Sequence, residues 1–231
     1  MSDLVLLNYY LGIEVRQRPR SITLCQSAYA EKLLDKAGLG SCNPTLAPME
    51  PHLKVSKESM SSPVDAPFYR SIIGSLCYLV HTRPDITFAV EYLSQFMDAP
   101  AVEHLNAIKH MLRYIAGTRS YRCSYLKHYG AIELVGYSSS DMAKDVDDRK
   151  STTGVLFMLG NSPVSWKSQK QKIVALSSCE AEYVAATTTA YQGVWLGCLI
   201  GDLLHRKPDN NIIHVDNKFA IQLCKNPVFH D

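Results

Sequence analysis

The chain has 231 residues, 46% hydrophobic and 20% charged, the balance of an ordinary globular protein of one or two domains rather than a disordered one. Its 24 basic and 22 acidic residues leave a net charge of +2, which excludes a strongly basic nucleic-acid module on total charge but leaves room for local patches. No apolar run is long enough to span a membrane, and the start Met1-Ser2-Asp3-Leu4-Val5-Leu6-Leu7 lacks the basic and long apolar segments of a secretory signal.

In chain order, Tyr9–Val15 and Ser21–Leu24 flank a turn with Arg16, Arg18, Pro19 and Arg20, and predict a hairpin. Ser27 is placed to cap a helix carrying Tyr29, Ala30, Leu33, Leu34 and Ala37 on one face and ended by Gly38. Ser41 to Pro67 holds Pro44, Pro48, Pro51, Pro63 and Pro67 among many serines, the composition of a linker or extended strap. Amphipathic spacing then predicts helices over about 69–81, from Pro84-Asp85 to Phe96, and over 102–116 before Gly117.

Beyond Thr118 the period changes from 3.6 to 2. Strands are expected at Tyr121–Leu126, Leu134–Ser140, Gly154–Gly160 and Pro163–Ser168, then a helix over Ser178–Leu204, a strand over Asn211–Asp216 and a short helix over Lys218–Cys224. This order describes a mixed sheet with helices packed on it, so the fold class is α/β. A small, mainly helical region precedes it, with the boundary at 118/119. Cys25, Cys42, Cys77, Cys123, Cys179, Cys198 and Cys224 are scattered without a Cys-x-x-Cys pair, which argues against a disulfide framework or zinc knuckle and for a reducing, intracellular setting. The eight histidines show no metal-binding spacing either.

Three acidic positions carry chemical interest. Asp216 ends an apolar strand, where α/β sheets gather functional groups, and could equally cap the following helix. Glu182 shares a helical face with Ala185, Ala186 and Thr189, and a glutamate on the face turned to a sheet is costly unless paired or metal-bound. Glu180 lies around the helix from it, suited to the helix N-terminus. Ser139 and Asp141 point to the same side of one strand, about 7 Å apart. The polar run from Asp145 to Lys150 reads as a hairpin loop.

Specific motifs then accumulate. Leu134-Val135-Gly136-Tyr137-Ser138 and Asp147-Asp148-Arg149-Lys150-Ser151-Thr152-Thr153-Gly154 are followed by Ser165-Trp166-Lys167-Ser168 with Lys170-Gln171. Next come Val174-Ala175-Leu176-Ser177-Ser178 with Glu180-Ala181-Glu182-Tyr183, then Asp216-Asn217 with Asn226-Pro227-Val228. Together they resemble the RNase H segment of copia-type LTR-retrotransposon Pol polyproteins. Upstream, Tyr10-Leu11-Gly12-Ile13-Glu14, Tyr69–Leu76, Thr82-Arg83-Pro84-Asp85-Ile86 and Leu112-Arg113-Tyr114 with Gly117-Thr118 resemble the C-terminal, thumb- or connection-like part of the same polyprotein's reverse transcriptase. The resemblance thus implies a reverse-transcriptase-derived region over 1–118 and an RNase H-like domain over 119–231.

It further implies cleavage of RNA in RNA–DNA hybrids, with four carboxylates holding two Mg²⁺ ions. Glu182 and Asp216 match two of the four. At the first, where the family has aspartate, this chain has Ser139; Met142 and Lys144 stand where the family has tryptophan and glycine. The fourth carboxylate would follow Asn226-Pro227-Val228 by about ten residues, past Asp231, so the domain is expected to be truncated, and the polymerase aspartates would precede Met1. Expected partners are an RNA–DNA hybrid or other nucleic acid and the rest of the polyprotein, inside the cell and not in a membrane.

Three functional classes follow. The first is a catalytically degenerate remnant. The second is a non-catalytic nucleic-acid-binding module, using Arg149, Lys150, Lys167, Lys170 and Lys172, with a second acid-free stretch at Lys109, Arg113, Arg119, Arg122 and Lys127. The third is an active hybrid nuclease in which Asp141 replaces the carboxylate missing at Ser139 and another segment supplies the fourth.

Overall fold

A computed structural model of the chain describes residues 6–127, 133–205 and 210–226. It is a mixed α/β structure with two four-stranded sheets and six α-helices, split into compact units of residues 1–127 and 128–231.

In the first unit, β1 (Tyr9–Tyr10), β2 (Ile13–Arg18) and β3 (Ser21–Cys25) form an antiparallel meander. Helices α1 (Ser27–Lys36), α2 (Ala66–Leu79), α3 (Thr87–Ser94) and α4 (Val102–Gly117) follow. The change of period near Gly117 marks the end of α4, not of the unit. Strand β4 (Cys123–Leu126) returns to pair with β3, Leu24 opposite Cys123 and Ser21 opposite Leu126. The region expected to be mainly helical therefore carries a complete sheet of its own, in the order β1-β2-β3-β4.

Apolar faces of α1 to α4 close a core around Leu34, Tyr69, Ile72, Leu76, Leu93 and Ile108, all fully buried. The buried Tyr69 hydroxyl donates to the Leu93 carbonyl at 2.8 Å, so a large side chain packs without an orphaned polar atom. Between α2 and α3 lie two 3₁₀ turns, Val80–Thr82 and Pro84–Ile86, with Arg83 at their junction. Its guanidinium is 3% exposed and bonds Asp85 Oδ2 at 2.7 Å and Thr118 Oγ1 at 2.7 Å, beneath the rings of Tyr114 and Tyr121.

The proline-rich stretch after α1 is a strap with fixed anchors. Arg119 donates to the Gly40 carbonyl, Arg113 to the Asn43 carbonyl and Thr45 Oγ1 to the His110 carbonyl. Further along, buried His104 accepts from Ala101 N–H through Nδ1 and so is left to donate through Nε2 to the Ser56 carbonyl at 3.0 Å. Extended chain that cannot pair in a sheet has carbonyls satisfied by Arg113 and His104 of α4 and by Arg119 just beyond it.

The second unit contains β5 (Leu134–Ser140), β6 (Thr152–Leu159), β7 (Ser162–Lys170), α5 (Ser178–Leu204), β8 (Ile212–Val215) and α6 (Lys218–Lys225). Sheet order is β7-β6-β5-β8, antiparallel except for the parallel pair β5 and β8. Phe157 on β6 fills the centre of a small core with Leu134, Val155 and Leu196. Gly136 and Gly193 make room for it: a Cβ would lie 2.7 Å and 3.2 Å from its ring. Among the described residues no helix is long and apolar enough to cross a membrane.

Candidate functional site

Parallel pairing places the carboxyl ends of β5 and β8 side by side, with Ser138 opposite Val215. Continuing that register by one residue sets Asp216 next to Ser139, one interstrand spacing of about 4.8 Å away. Both are exposed, and so is Tyr137, whose ring stacks on His214 with centroids 5.2 Å apart. Ser138 and Ser140 take the opposite side of β5, towards α5; Ser138 is 5% exposed.

Glu182 arrives from α5. Ser177 caps that helix by accepting from Glu180 N–H at 3.1 Å, and Glu180 reaches back to accept from Leu176 N–H at 2.6 Å. The cap sets the helical phase, so that Glu182, Ala185, Ala186 and Thr189 are all buried against the sheet. Glu182 is 6% exposed; its Oε1 accepts from Ser140 N–H at 2.8 Å, while its Oε2 is buried with no hydrogen-bond partner. Burial pushes the Glu182 carboxyl up, the Ser140 N–H pulls it back, and the Asp216 carboxylate raises it further. Asp216 is not the cap of α6. Asn217 fills that role, its Oδ1 accepting from Phe219 and Ala220 N–H at 3.0 Å each.

Asp141 is engaged elsewhere. Its Oδ1 accepts from Thr152 N–H at 2.6 Å, and its own N–H donates to the Thr152 carbonyl, closing the end of the β5–β6 ladder. Burial pushes its carboxyl up; Thr152 and Lys144 lower it and Asp145 raises it again. Every one of these groups lies on the hairpin side.

The loop between β5 and β6 is built rather than merely solvated. Asp145 is buried, accepts from Asp147 and Asp148 N–H, and pairs with Lys170 Nζ at 2.6 Å. Lys170 also meets Asp148 at 2.9 Å, and Lys150 lies 3.7 Å from the same carboxylate. Of the five basic residues singled out, Lys150 and Lys170 are therefore neutralised locally, while Arg149, Lys167 and Lys172 are exposed. Gln171, quoted only as part of a motif, turns out to organise the region. Its buried amide nitrogen lies 2.9–3.2 Å from Ser140 Oγ, Thr153 Oγ1 and the Ala181 carbonyl, three acceptors that share its two N–H groups, joining β5, β6 and α5, while its Oε1 is buried without a partner. The signal for it was a glutamine at the junction of a strand and a sheet-covering helix.

Asp216 and, by continued register, Ser139 stand on the exposed side of the sheet end, while Glu182 is buried on the α5 side and feels the Asp216 charge. Among the described residues no group of three or more histidine, cysteine or acidic side chains converges as a metal site. The residues present do not fit a two-Mg²⁺ cluster, whose two ions need bridging carboxylates on both sides.

An α/β unit with carboxylates at the ends of parallel neighbouring strands is the class that fold and site define. Residues 1–51 match the reverse transcriptase (RNA-dependent DNA polymerase) family. Over 97% of its length the chain is 43% identical to the retrovirus-related Pol polyprotein from transposon RE1 of Arabidopsis thaliana, covering 15% of that protein. Over its whole length it is 40% identical to the corresponding polyprotein from transposon TNT 1-94 of Nicotiana tabacum, covering 18% of it. An uncharacterized mitochondrial protein of Arabidopsis thaliana is 36% identical over 84% of the chain and 80% of its own length. Its homologues are retrovirus-related Pol polyproteins from copia-type transposons. The chain spans 15–18% of the length of these polyproteins.

Proposed function

We propose that the second unit is the RNase H-like domain of a retrotransposon Pol polyprotein, that it has lost hybrid cleavage, and that the reverse-transcriptase-derived region, expected over residues 1–118, is the first unit with its β4 strand included. The reading rests on the β5–β8 register, whose last pair is Ser138 and Val215: continued by one residue it brings position 139, a serine, alongside Asp216, whose charge raises the Glu182 carboxyl. Glu182 and Asp216 match two of the four carboxylates that would hold two Mg²⁺ ions in an intact site of this kind, where the ions would supply an activated water and a stabilised leaving oxygen; alone they do not fit the pair. A hydroxyl in place of the shared carboxylate removes the charge that would bring two cations together. Asp141 does not compensate, since its carboxylate is bonded to Thr152 N–H. The nucleic-acid partner would be an RNA–DNA hybrid, and the natural context is the remainder of the polyprotein.

The test is incubation of the purified chain with an end-labelled RNA–DNA hybrid and Mg²⁺. No cleavage is expected. Ser139→Asp, which rebuilds a third carboxylate, is expected to tighten Mg²⁺ binding measured by calorimetry. Robust cleavage by the unchanged chain that is abolished in Glu182→Gln would overturn the reading, and loss in Asp141→Asn as well would establish the active-nuclease alternative.

A further inference from the structure

The cysteines are not equivalent once the chain is folded. Cys25 and Cys123 are buried, and their sulfurs donate to Glu14 and to the Thr82 carbonyl. Cys42, Cys77 and Cys198 stand apart, on the strap, on α2 and in the second half of α5. Cys179 and Cys224 instead lie where two helices meet. Cys179 is in the first turn of α5, on the stripe that continues through buried Glu182 and Ala186 at spacings of three and seven. Cys224 is in the last turn of α6, four residues after buried Ala220 and so on the same side of that helix. Helix α6 packs on α5, and its start is held at the same helix end, because the charge of Asp216, just before the Asn217 cap, is felt by Glu182. At 1.5 Å per residue α6 carries the chain only about 12 Å from Asp216 to Cys224, whereas Cys198 is about 28 Å along α5 from Cys179. Partial burial pushes the Cys224 thiol up and Cys179 raises it further, against the lowering effect of its own backbone, so the two sulfurs sense each other's charge.

We propose that Cys179 and Cys224 form a redox modification site, closing a reversible disulfide that staples α6 to the first turn of α5. Packed helices run about 8–10 Å apart axis to axis, which lets cysteines on facing sides reach the Cα separation of about 4.4–6.8 Å that a disulfide needs. The oxidant is a small disulfide of the glutathione class. Exposed Cys224, as thiolate, attacks one of its sulfurs and expels a first glutathione. Half-buried Cys179 then attacks Cys224 Sγ in the mixed disulfide and expels the second. One S–S bond forms in the chain as one breaks in the oxidant, and the two glutathione thiols carry away both protons and both electrons. Thiols that stay apart under reducing conditions and pair under oxidising ones make a sensor, not a structural framework. The bond closes a long loop through α5 and β8, which constrains the unfolded chain more than the folded one. It also holds Glu182 and Asp216 in register, since it joins the helix that carries the first to the helix that follows the second.

The experiment incubates the full chain with glutathione disulfide and glutathione at graded ratios, alkylates the remaining thiols and maps the unreduced peptides by mass spectrometry. A linked pair of peptides containing Cys179 and Cys224 is expected, two hydrogens lighter than the reduced pair and separated again by dithiothreitol. Closure should run faster as pH rises, because the Cys224 thiol is held up and thiolate is the attacking species. The oxidised chain should melt several degrees above the reduced one. Cys179→Ser and Cys224→Ser should each abolish that rise, with Cys179→Ser trapping glutathione on Cys224, while Cys77→Ser and Cys198→Ser should leave it intact. Peptide mapping is done on the unchanged chain and so reads out even where a variant does not fold. Glutathione retained on Cys224 with Cys179 still free at every ratio would overturn the proposal. So would linkage of either cysteine to Cys77 or Cys198 of another copy, or a Cys179–Cys224 bond that leaves the melting temperature where it was.

Discussion

The two units differ in how they pair the polar groups at their centres. In the first, Arg83 is buried among the Asp85 carboxylate, the Thr118 hydroxyl and carbonyl, and two tyrosine rings, and His104 has a partner on each ring nitrogen. In the second, Ser138 Oγ and Glu182 Oε2 are buried without partners at the carboxyl end of the sheet. Their cores differ in the same sense. Four helices enclose the first, whereas the second rests on Phe157 and its neighbours, and α5 turns Tyr191, Val194, Trp195 and Leu203 to solvent. The first unit's unpaired atoms, Gln26 Nε2, Thr87 Oγ1 and Arg119 Nε, are spread over separate elements, whereas those of the second lie on β5, β7 and α5 and at Gln171 between them. Orphaned groups clustered at strand ends mark a place where the sequence kept chemistry at stability's expense.

The largest effects should come from the centre of each design. Arg83→Ala leaves Asp85 without its cation, and breaking a buried pair by removing one partner costs about 3–5 kcal/mol. Burial pushes the Asp85 carboxyl up, but the Arg83 and Tyr114 bonds outweigh it and hold the group below the usual range. Phe157→Ala opens a cavity of comparable cost, about 3–5 kcal/mol, in a much smaller core. Hydrogen exchange separates the two: Arg83→Ala should accelerate exchange in α2 to α4, Phe157→Ala in β5 to β7. Acceleration of both units by either variant would break the contrast drawn between them.

A middle effect tests whether Gln171 holds the second unit's site together. Gln171→Ala removes the two N–H donors shared by the Ala181 carbonyl and the hydroxyls of Ser140 and Thr153, at about 0.5–1.5 kcal/mol per hydrogen bond lost, and with them a buried Oε1 that has no partner. Urea denaturation measures it. A change within experimental error would mean that β5, β6 and α5 are held by apolar packing alone.

What the sequence revealed follows the range of the forces involved. β5 over Leu134–Ser140 and α5 over Ser178–Leu204 have the bounds that periodicity predicts, because alternation and a capped apolar helix are local signals. Asp216 and Glu182 were legible for the same reason: a carboxylate at a strand end and another on a sheet-facing helical stripe. Pairing between distant segments was not. The β4 strand joins β3 from about a hundred residues away, and nothing in Cys123–Leu126 names its partner. Ser27 was expected to cap α1, yet Gln26 occupies that position without a side-chain bond, and Glu14 from β2 accepts from Ala28 N–H instead. A carboxylate supplied through space leaves no trace at the helix start. Neither does the Lys170–Asp145 pair, which turns a run that reads as solvated charge into an anchored loop.

The smallest effect is also the most direct probe of the orphaned oxygen. Glu182 has its carboxyl raised chiefly by burial and further by Asp216, so the folded state holds its proton more tightly than the unfolded chain does. Between the unfolded and folded titration points the native state binds more protons, and stability falls as pH rises through that window. Above it the full penalty of an ionised, buried carboxylate is present. Glu182→Gln keeps an oxygen to accept from Ser140 N–H and removes the charge, and its amide brings a donor to the unpartnered side. The variant is therefore expected to melt slightly higher than the unchanged chain at neutral pH, with the difference shrinking as pH drops into the carboxylate range. Asp216→Asn should shift Tm in the same direction by a smaller amount, because it removes only the repulsion. Melting curves from pH 4 to pH 8 decide it: a Glu182→Gln variant less stable at neutral pH than at acid pH, relative to the parent, would mean that the carboxylate is stabilised where it sits and that its burial carries no cost.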